Sequence, residues 1–292
     1  MKRLICWALT SVAMTAALSA HSEEASWTQP QKPFQIYANT YYVGTQGLSA
    51  ILITSAQGHV LIDAPMEHNA SMIEANIRAL GFRIEDIRVV LNSHAHSDHA
   101  GGIAELARVS GAKVRASVAG AKALKLGGKD PEDPQYGEAP LFPAVTDVGL
   151  VRDGETIHVG TTELVAHYTP GHTPGSTSWT WRSCDQEHCL NIAYADSLTP
   201  LSSDGFRFSD EAKHPHRVED YRQAIATVAA LPCDILITPH PDASDFLERV
   251  AKRDQGVKPN PLIDTQACKA YAAGASVKLA ARLAKEKTEH PH

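Results

Sequence analysis

The stretch Ser93-His94-Ala95-His96-Ser97-Asp98-His99 constrains this chain more than any other. Three histidines and an aspartate fall within six residues, directly after the apolar residues Val89, Val90 and Leu91 and ahead of a helical pattern. In extended backbone, side chains at i, i+2 and i+4 project to one side. His94, His96 and Asp98 therefore converge beyond the end of a strand. Gly101-Gly102 lets the backbone turn tightly enough to swing His99 toward the same cavity. Packing does not account for so many imidazoles in so short a run. Imidazole and carboxylate are ligands that suit Zn2+.

Two more histidines sit in turns that present a side chain. His172 lies in Thr169-Pro170-Gly171-His172-Thr173-Pro174-Gly175, after a strand-like run at 163–168. His240 lies in Thr238-Pro239-His240-Pro241, after another at 234–238. In sheets flanked by helices, strand ends are where ligands gather. With the first cluster these residues make six ligands, three for each of two metals.

Short β-branched runs come first in the chain, then strands alternate with helices, and the theme repeats. Residues 35–43, 49–55 and 59–63 read as a strand meander. Residues 69–80 have apolar positions at helical spacing and end at Gly81. Residues 87–91 suit a strand buried on both faces, 100–109 a helix and 113–116 the next strand. The second half gives strands at 156–159, 163–168, 177–182, 190–194 and 234–238, with helices at 218–230, 244–254 and 265–285. Between the halves, 126–147 is rich in Gly, Pro and charge, and long irregular loops of this kind are often functional. That loop and the turn at 44–48 are the candidate walls of a groove.

Lys2 and Arg3, the apolar run 4–18 and the small residues Ser19-Ala20 read as a secretory signal over 1–20, leaving a single domain over 21–292. The run is too short for a membrane span, and Cys6 lies too early for a lipoprotein cleavage site, so no membrane anchor is expected. Removing Lys2 and Arg3 takes the net charge from −6 to −8, which excludes the basic footprint of a nucleic-acid binder. Cys184, Cys189, Cys233 and Cys268 remain, an even number that favours disulfides in an exported chain. A Cys184–Cys189 bond would bridge a hairpin, and a Cys233–Cys268 bond would staple the last helix to the sheet. Four cysteines allow three pairings.

His-x-His-x-Asp-His at 94–99, Pro-Gly-His-Thr-Pro-Gly-Ser at 170–176 and Pro-His-Pro at 239–241 resemble the metallo-β-lactamase superfamily. More narrowly, the chain is similar to the third subclass of class B β-lactamases. The likeness runs from about Trp27 to the C-terminal helix and takes in Tyr-Ala-Asp-Ser-Leu at 194–198. It implies an α/β (α+β) fold, a four-layer αβ/βα sandwich of two mixed β-sheets with helices on the outer faces and the metals at one edge. It also implies two Zn2+ per chain, the first on His94, His96 and His172 and the second on Asp98, His99 and His240. Asp98 would in addition orient the zinc-bound hydroxide, and Ser197 and Thr199 would hold the carboxylate of the substrate. The other subclasses use a cysteine near Ser197, and this chain has none there. The implied activity is hydrolysis of the β-lactam amide of penicillins, cephalosporins and carbapenems by a metal-bound hydroxide, conferring antibiotic resistance. A monomer exported to the periplasm of a Gram-negative host, acting on a small molecule, is the accompanying expectation.

Asp196 carries the main alternative. Glyoxalase II and the lactonases of the superfamily place an aspartate in this region to bridge the metals. Alternation on a strand end lets only one of Asp196 and Ser197 face them, and the match of the whole segment favours Ser197. An exported lactone or thioester hydrolase is thus the second reading, and a non-catalytic zinc-binding domain with a closed cleft the third. His59, His188, His214, His216, His290 and His292 are not expected to be ligands, and Trp179 and Trp181 read as packing on one strand face.

Overall fold

The computed structural model describes residues 25–289. The signal read at 1–20, and His290 and His292, lie outside the described residues. One sheet runs in chain order through β1 (Phe34–Tyr37), β2 (Thr40–Tyr42), β3 (Ile51–Ile53), β4 (His59–Ile62), β5 (Ile87–Leu91), β6 (Lys113–Ala116) and β7 (Val148–Leu150). It is antiparallel from β1 to β4 and parallel from β4 to β7. The other is built from β8 (Thr156–Val159), β9 (Thr162–Tyr168), β10 (Thr177–Asp185), β11 (His188–Tyr194) and β12 (Ile235–Ile237), in the order β12-β11-β10-β9-β8. Only its β11–β12 pair is parallel. Both sheets are mixed, as the resemblance implied.

Strand alternation builds the layers. Ile51, Ile53, Val60, Ile62, Val89 and Leu91 of the first sheet meet Trp179, Trp181, Ile192, Tyr194, Ile235 and Ile237 of the second in one core. Leu52, Leu61 and Val90 point the other way, onto α1 (Ala70–Ala79), α3 (Ile103–Ser110) and α4 (Val118–Leu126). Ala193 and Leu236 likewise face α5 (Arg217–Ala230) and α7 (Ala267–Glu289). Trp179 and Trp181 do pack on one face, each indole N–H satisfied, by Asn92 O and Thr40 Oγ1.

Several sequence expectations change. Residues 35–43 form two strands, with Tyr37 opposite Thr40 in a tight hairpin. Ala38 takes φ 43° there, so the turn carries none of the Gly or Pro signals that mark turns. The strand 87–91 is not buried throughout, because Arg88 is exposed. The helix read at 100–109 is two pieces, α2 (Ser97–Ala100) and α3, broken at Gly101-Gly102. Gly102 N donates to Ala64 O at 2.7 Å, and a Cβ on Gly101 would stand 2.5 Å from Ser97 O and 2.7 Å from Glu67 N. Close packing of the loop against the end of β4 sets that break. The helix read at 244–254 is a 3-10 turn (Pro241–Ser244) followed by α6 (Phe246–Asp254), with Asp245 at φ 50° between them. Helix α4 and strand β7 lie outside the sequence expectations.

The two sheets are joined where their strands end. Asp63, fully buried after β4, accepts Asn92 Nδ2 and Ser93 N on Oδ1, and Ser93 Oγ and the Tyr194 hydroxyl on Oδ2, at 2.6–3.0 Å. Thr177 N donates to Ser93 O, and Ser49 N to Pro239 O, both at 2.8 Å. Cys184 is bonded to Cys189 across the β10–β11 hairpin, and Cys233 to Cys268, tying the start of α7 to the second sheet. No described helix is long and apolar enough to cross a membrane.

Asp63→Ala removes the acceptor of Ser93 N, Ser93 Oγ and the Tyr194 hydroxyl and leaves Asn92 Nδ2 only His94 O, so it should cost about 3–5 kcal/mol. Tyr194→Phe, which removes one donor, should cost about 1 kcal/mol. Urea midpoints of the two variants at unchanged m-value test the difference.

Candidate metal centre

Every side chain of the cluster is delivered by a strand end or the turn after it. Strand β5 runs into His94 and His96, and α2 carries Asp98 and His99. The β9–β10 turn carries His172, and His240 follows β12. The His172 turn is fixed against α4: Ser117 Oγ donates to Gly175 O at 2.7 Å, and a Cβ on Gly175 would lie 2.3 Å from Gly120 N. Only glycine admits that approach.

His94, His96 and His172 are all buried, with ring centroids 4.7–5.0 Å apart. One ligand atom from each lies within 4.8 Å of the others, and His94, Asp98 and His99 form an overlapping group by the same measure. On the other side, Asp98 Oδ2 is 3.1 Å from His99 Nε2 and 3.2 Å from His240 Nε2, and those nitrogens are 3.2 Å apart. Three donors on one tetrahedral zinc at about 2.0–2.1 Å stand roughly 3.3 Å from each other. The triangle matches that spacing.

Outer partners decide which nitrogen each ring turns inward. His94 Nδ1 pairs with Asp196 Oδ1, His96 Nε2 with Asp133 Oδ2, and His172 Nδ1 with Thr199 O, each at 2.8 Å. A ring whose one nitrogen donates to a carboxylate or carbonyl offers the lone pair of the other. His94 Nε2 is buried with no hydrogen-bond partner, which a cation would satisfy. Burial and neighbouring imidazoles hold His94 well below the usual histidine range and lower His172 to about 3. Burial also lowers His99. For His96, burial is outweighed by Asp133, which raises it. Burial works to raise Asp98 too, yet His99 and His240 hold its carboxyl well below the usual carboxylate range. Imidazoles held toward the neutral form at His94, His99 and His172, around an ionised Asp98, form a donor set fit for a divalent cation.

Beside the cluster opens a cleft of about 990 Å³. His96, Asp98, His172 and His240 reach it, as do Ser197 and Thr199. Asp196 turns the other way, wholly buried behind His94. Tyr271 of α7 holds this segment by donating to Asp196 O and accepting from Leu198 N, both at 3.2 Å. Both expected walls line the cleft, through Gln46 and Gly47 on one side and Gln135, Ala139 and Pro140 on the other. His59 is buried edge-on to Phe82, His188 is at an exposed hairpin tip, and His214 stacks on Phe206. His216 is exposed near Glu211. None belongs to the cluster.

Sequence reasoning did not find Asp133, Trp27 or Lys278. Asp133 comes from the Pro-rich loop 126–147, and only its fold-back onto His96 reveals it. Trp27 lies against His240 with ring centroids 5.5 Å apart. Lys278 is the one lysine or arginine among the described residues that line the cleft.

The comparisons agree with this geometry. A family model described as the metallo-beta-lactamase superfamily matches residues 44–185. The solved structure of Rm3 metallo-beta-lactamase is 50% identical, with 90% of this chain and 97% of that one covered and a TM-score of 0.87. The chain belongs to the metallo-β-lactamase superfamily. MEM-A1, a subclass B3 metallo-beta-lactamase from a soil metagenome library, is 48% identical over 90% of this chain and 100% of that one, TM-score 0.87. A curated hydroxyacylglutathione hydrolase of Polaromonas sp. is 31% identical over 65% of this chain. The chain spans 63% and 59% of the length of the first curated relatives it matches. The sequence likeness to the third subclass of these metallo-β-lactamases thus stands beside a shared fold.

Asp133→Ala frees the outer nitrogen of His96. It should weaken metal binding about 10- to 100-fold in competition with a chromophoric chelator.

Proposed function

We propose that this protein is a zinc-dependent β-lactamase of the B3 type, holding two Zn2+ and opening the β-lactam amide of penicillins, cephalosporins and carbapenems. One observation carries the reading: six ligand-type side chains, three of them histidines whose tautomers are set from behind, meet beside an open cleft in a chain 48–50% identical to two metallo-beta-lactamases. His94, His96 and His172 would hold one zinc, and Asp98, His99 and His240 the other. Zinc at these positions supplies Lewis acidity toward the ring carbonyl and a water whose pKa falls to near neutrality.

The rest is done by the protein. Asp98, kept ionised by its two histidines, accepts a hydrogen bond from the attacking water and orients it. Ser197 and Thr199 donate their hydroxyls to the substrate carboxylate, and Lys278 gives the cleft a positive charge in a chain of net charge −6. Trp27 and Pro140 provide apolar wall for the remainder of the drug. No side chain is needed as nucleophile. Ser93 is spent on Asp63 and Ser176 on Thr173, and neither lines the cleft.

Lactone or thioester hydrolysis, the latter named for the Polaromonas hydroxyacylglutathione hydrolase, is less well supported, because Asp196 is engaged behind His94 and does not face the cleft as a metal-bridging aspartate would. The open cleft argues against a binding-only domain. Residues 1–20 act in this reading as an export signal, 21–292 as one domain, and the product as a periplasmic monomer in a Gram-negative host.

Purified protein should hydrolyse a carbapenem, lose that activity on zinc stripping and regain it with added zinc. A protein verified to hold two zincs that opens no β-lactam would sink the assignment, and lactones and thioesters would be tried next. Ser197→Ala and Thr199→Ala should each raise KM about fivefold with little change in kcat, as expected for roughly 1 kcal/mol of uniform binding.

A further inference from the structure

The chemistry above makes no use of Glu286, a charged side chain only 2% exposed near the end of α7. Its Oε1 accepts from Phe208 N at 3.0 Å and its Oε2 from Ser209 N at 2.9 Å. One turn earlier, Arg282 donates Nε to Glu286 Oε1 at 2.8 Å and Nη2 to Ser202 Oγ and Phe206 O at 2.7 and 2.9 Å. Its guanidinium also sits 5.4 Å from the centre of the Phe208 ring. An ion pair that buries the carboxylate and half-buries its guanidinium costs desolvation and returns little net stability. What it returns is position.

The segment it holds, 202–209, continues directly from Ser197, Thr199 and Leu201 on the cleft wall. It also grips the opposite loop. Ser203 N and Oγ both donate to Pro134 O, at 2.9 and 3.0 Å, and Asp204 N donates to Glu138 Oε1 at 2.7 Å. Pro134 follows Asp133, whose Oδ1 accepts from Gln135 N and whose Oδ2 pairs with His96 Nε2, both at 2.8 Å. A continuous set of polar contacts therefore runs from the C-terminal helix to a ligand of the metal centre.

We propose that Arg282 and Glu286 are positioning residues for the metal centre, acting through 202–209 and Pro134 on Asp133 and so on His96. The proposal rests on the reading of His96 as a zinc ligand. A pair that merely anchored the helix end would lower stability and leave the zinc affinity of the folded protein unchanged.

The test uses the full mature protein at 25 °C, with each variant shown folded by circular dichroism. Zinc affinity by chelator competition and hydrogen exchange at 130–138 are read for Arg282→Met, Asp133→Ala and the double variant. The expected result is an approximately tenfold loss of affinity in Arg282→Met, with faster exchange at 130–138. In the Asp133→Ala background the same change should add nothing further, because its route is already cut. Unchanged affinity in Arg282→Met with zinc still bound by the wild type overturns the proposal and leaves the zinc reading standing. An equal further loss in the double variant also overturns it, by showing that the effect bypasses Asp133. Wild-type protein that binds no zinc removes both. Should Arg282→Met fail to fold, Glu286→Gln, which keeps the shape and loses the charge, carries the same measurements.

Discussion

The hydrogen bond between His94 Nδ1 and Asp196 Oδ1, 2.8 Å long with both side chains fully buried, is the contact on which the rest of the centre depends. A buried carboxylate without a donor is costly, and so is a buried imidazole without a partner. Asp196 Oδ1 and His94 Nδ1 satisfy each other, and the price is a fixed direction for the ring: His94 Nε2 must face the cluster. His94 follows β5 and Asp196 follows β11, so the bond also joins the two sheets. Asp63 does the same a short way behind, receiving Ser93 from one sheet and Tyr194 from the other. The edge that gathers the ligands is thus also where the sandwich is fastened together.

Much of this was legible in the sequence because it is local. Period-two spacing brought His94 and His96 together past a strand end, and Pro and Gly around His172 and His240 marked turns at strand ends. Asp98, read as extended, stands instead on α2, which turns it toward His99 and His240. The layered fold followed from apolar runs that the structure shows dividing between two cores, as Leu52 does between Ile51 and Ile53. What escaped depends on distant partners. Asp133 meets His96 across 37 residues, and nothing in Glu132-Asp133-Pro134 announces it. The β1–β2 hairpin escaped for a different reason: Ala38 adopts a left-handed conformation that alanine rarely takes, imposed by the pairing of Tyr37 with Thr40.

Residues with opposite demands sit on different kinds of backbone. The clustered histidines and Asp98 stand on strand ends and a short helix, with His94 tied down by a buried bond to Asp196 and His96 by one to Asp133. Metal geometry tolerates little error, and rigid elements limit it. Much of the cleft wall comes from connections: Gln46 and Gly47 in one turn, Gln135 and Pro140 in the long loop, Ser197 and Thr199 beyond β11. Loops can change length and side chain without moving a strand end.

That separation is incomplete at two points, and both involve the C-terminal helix. Tyr271 holds the backbone on either side of Ser197, while Arg282 and Glu286 hold the segment that follows Thr199. The Cys233–Cys268 bond in turn fixes the start of that helix to the second sheet. A loop held from outside by a helix, itself held covalently, keeps the precision of the sheet without being part of it. The cleft wall and, through Pro134 and Asp133, the histidine cluster are thus both in contact with what α7 supports, although only Tyr271 and Lys278 of that helix reach the cleft.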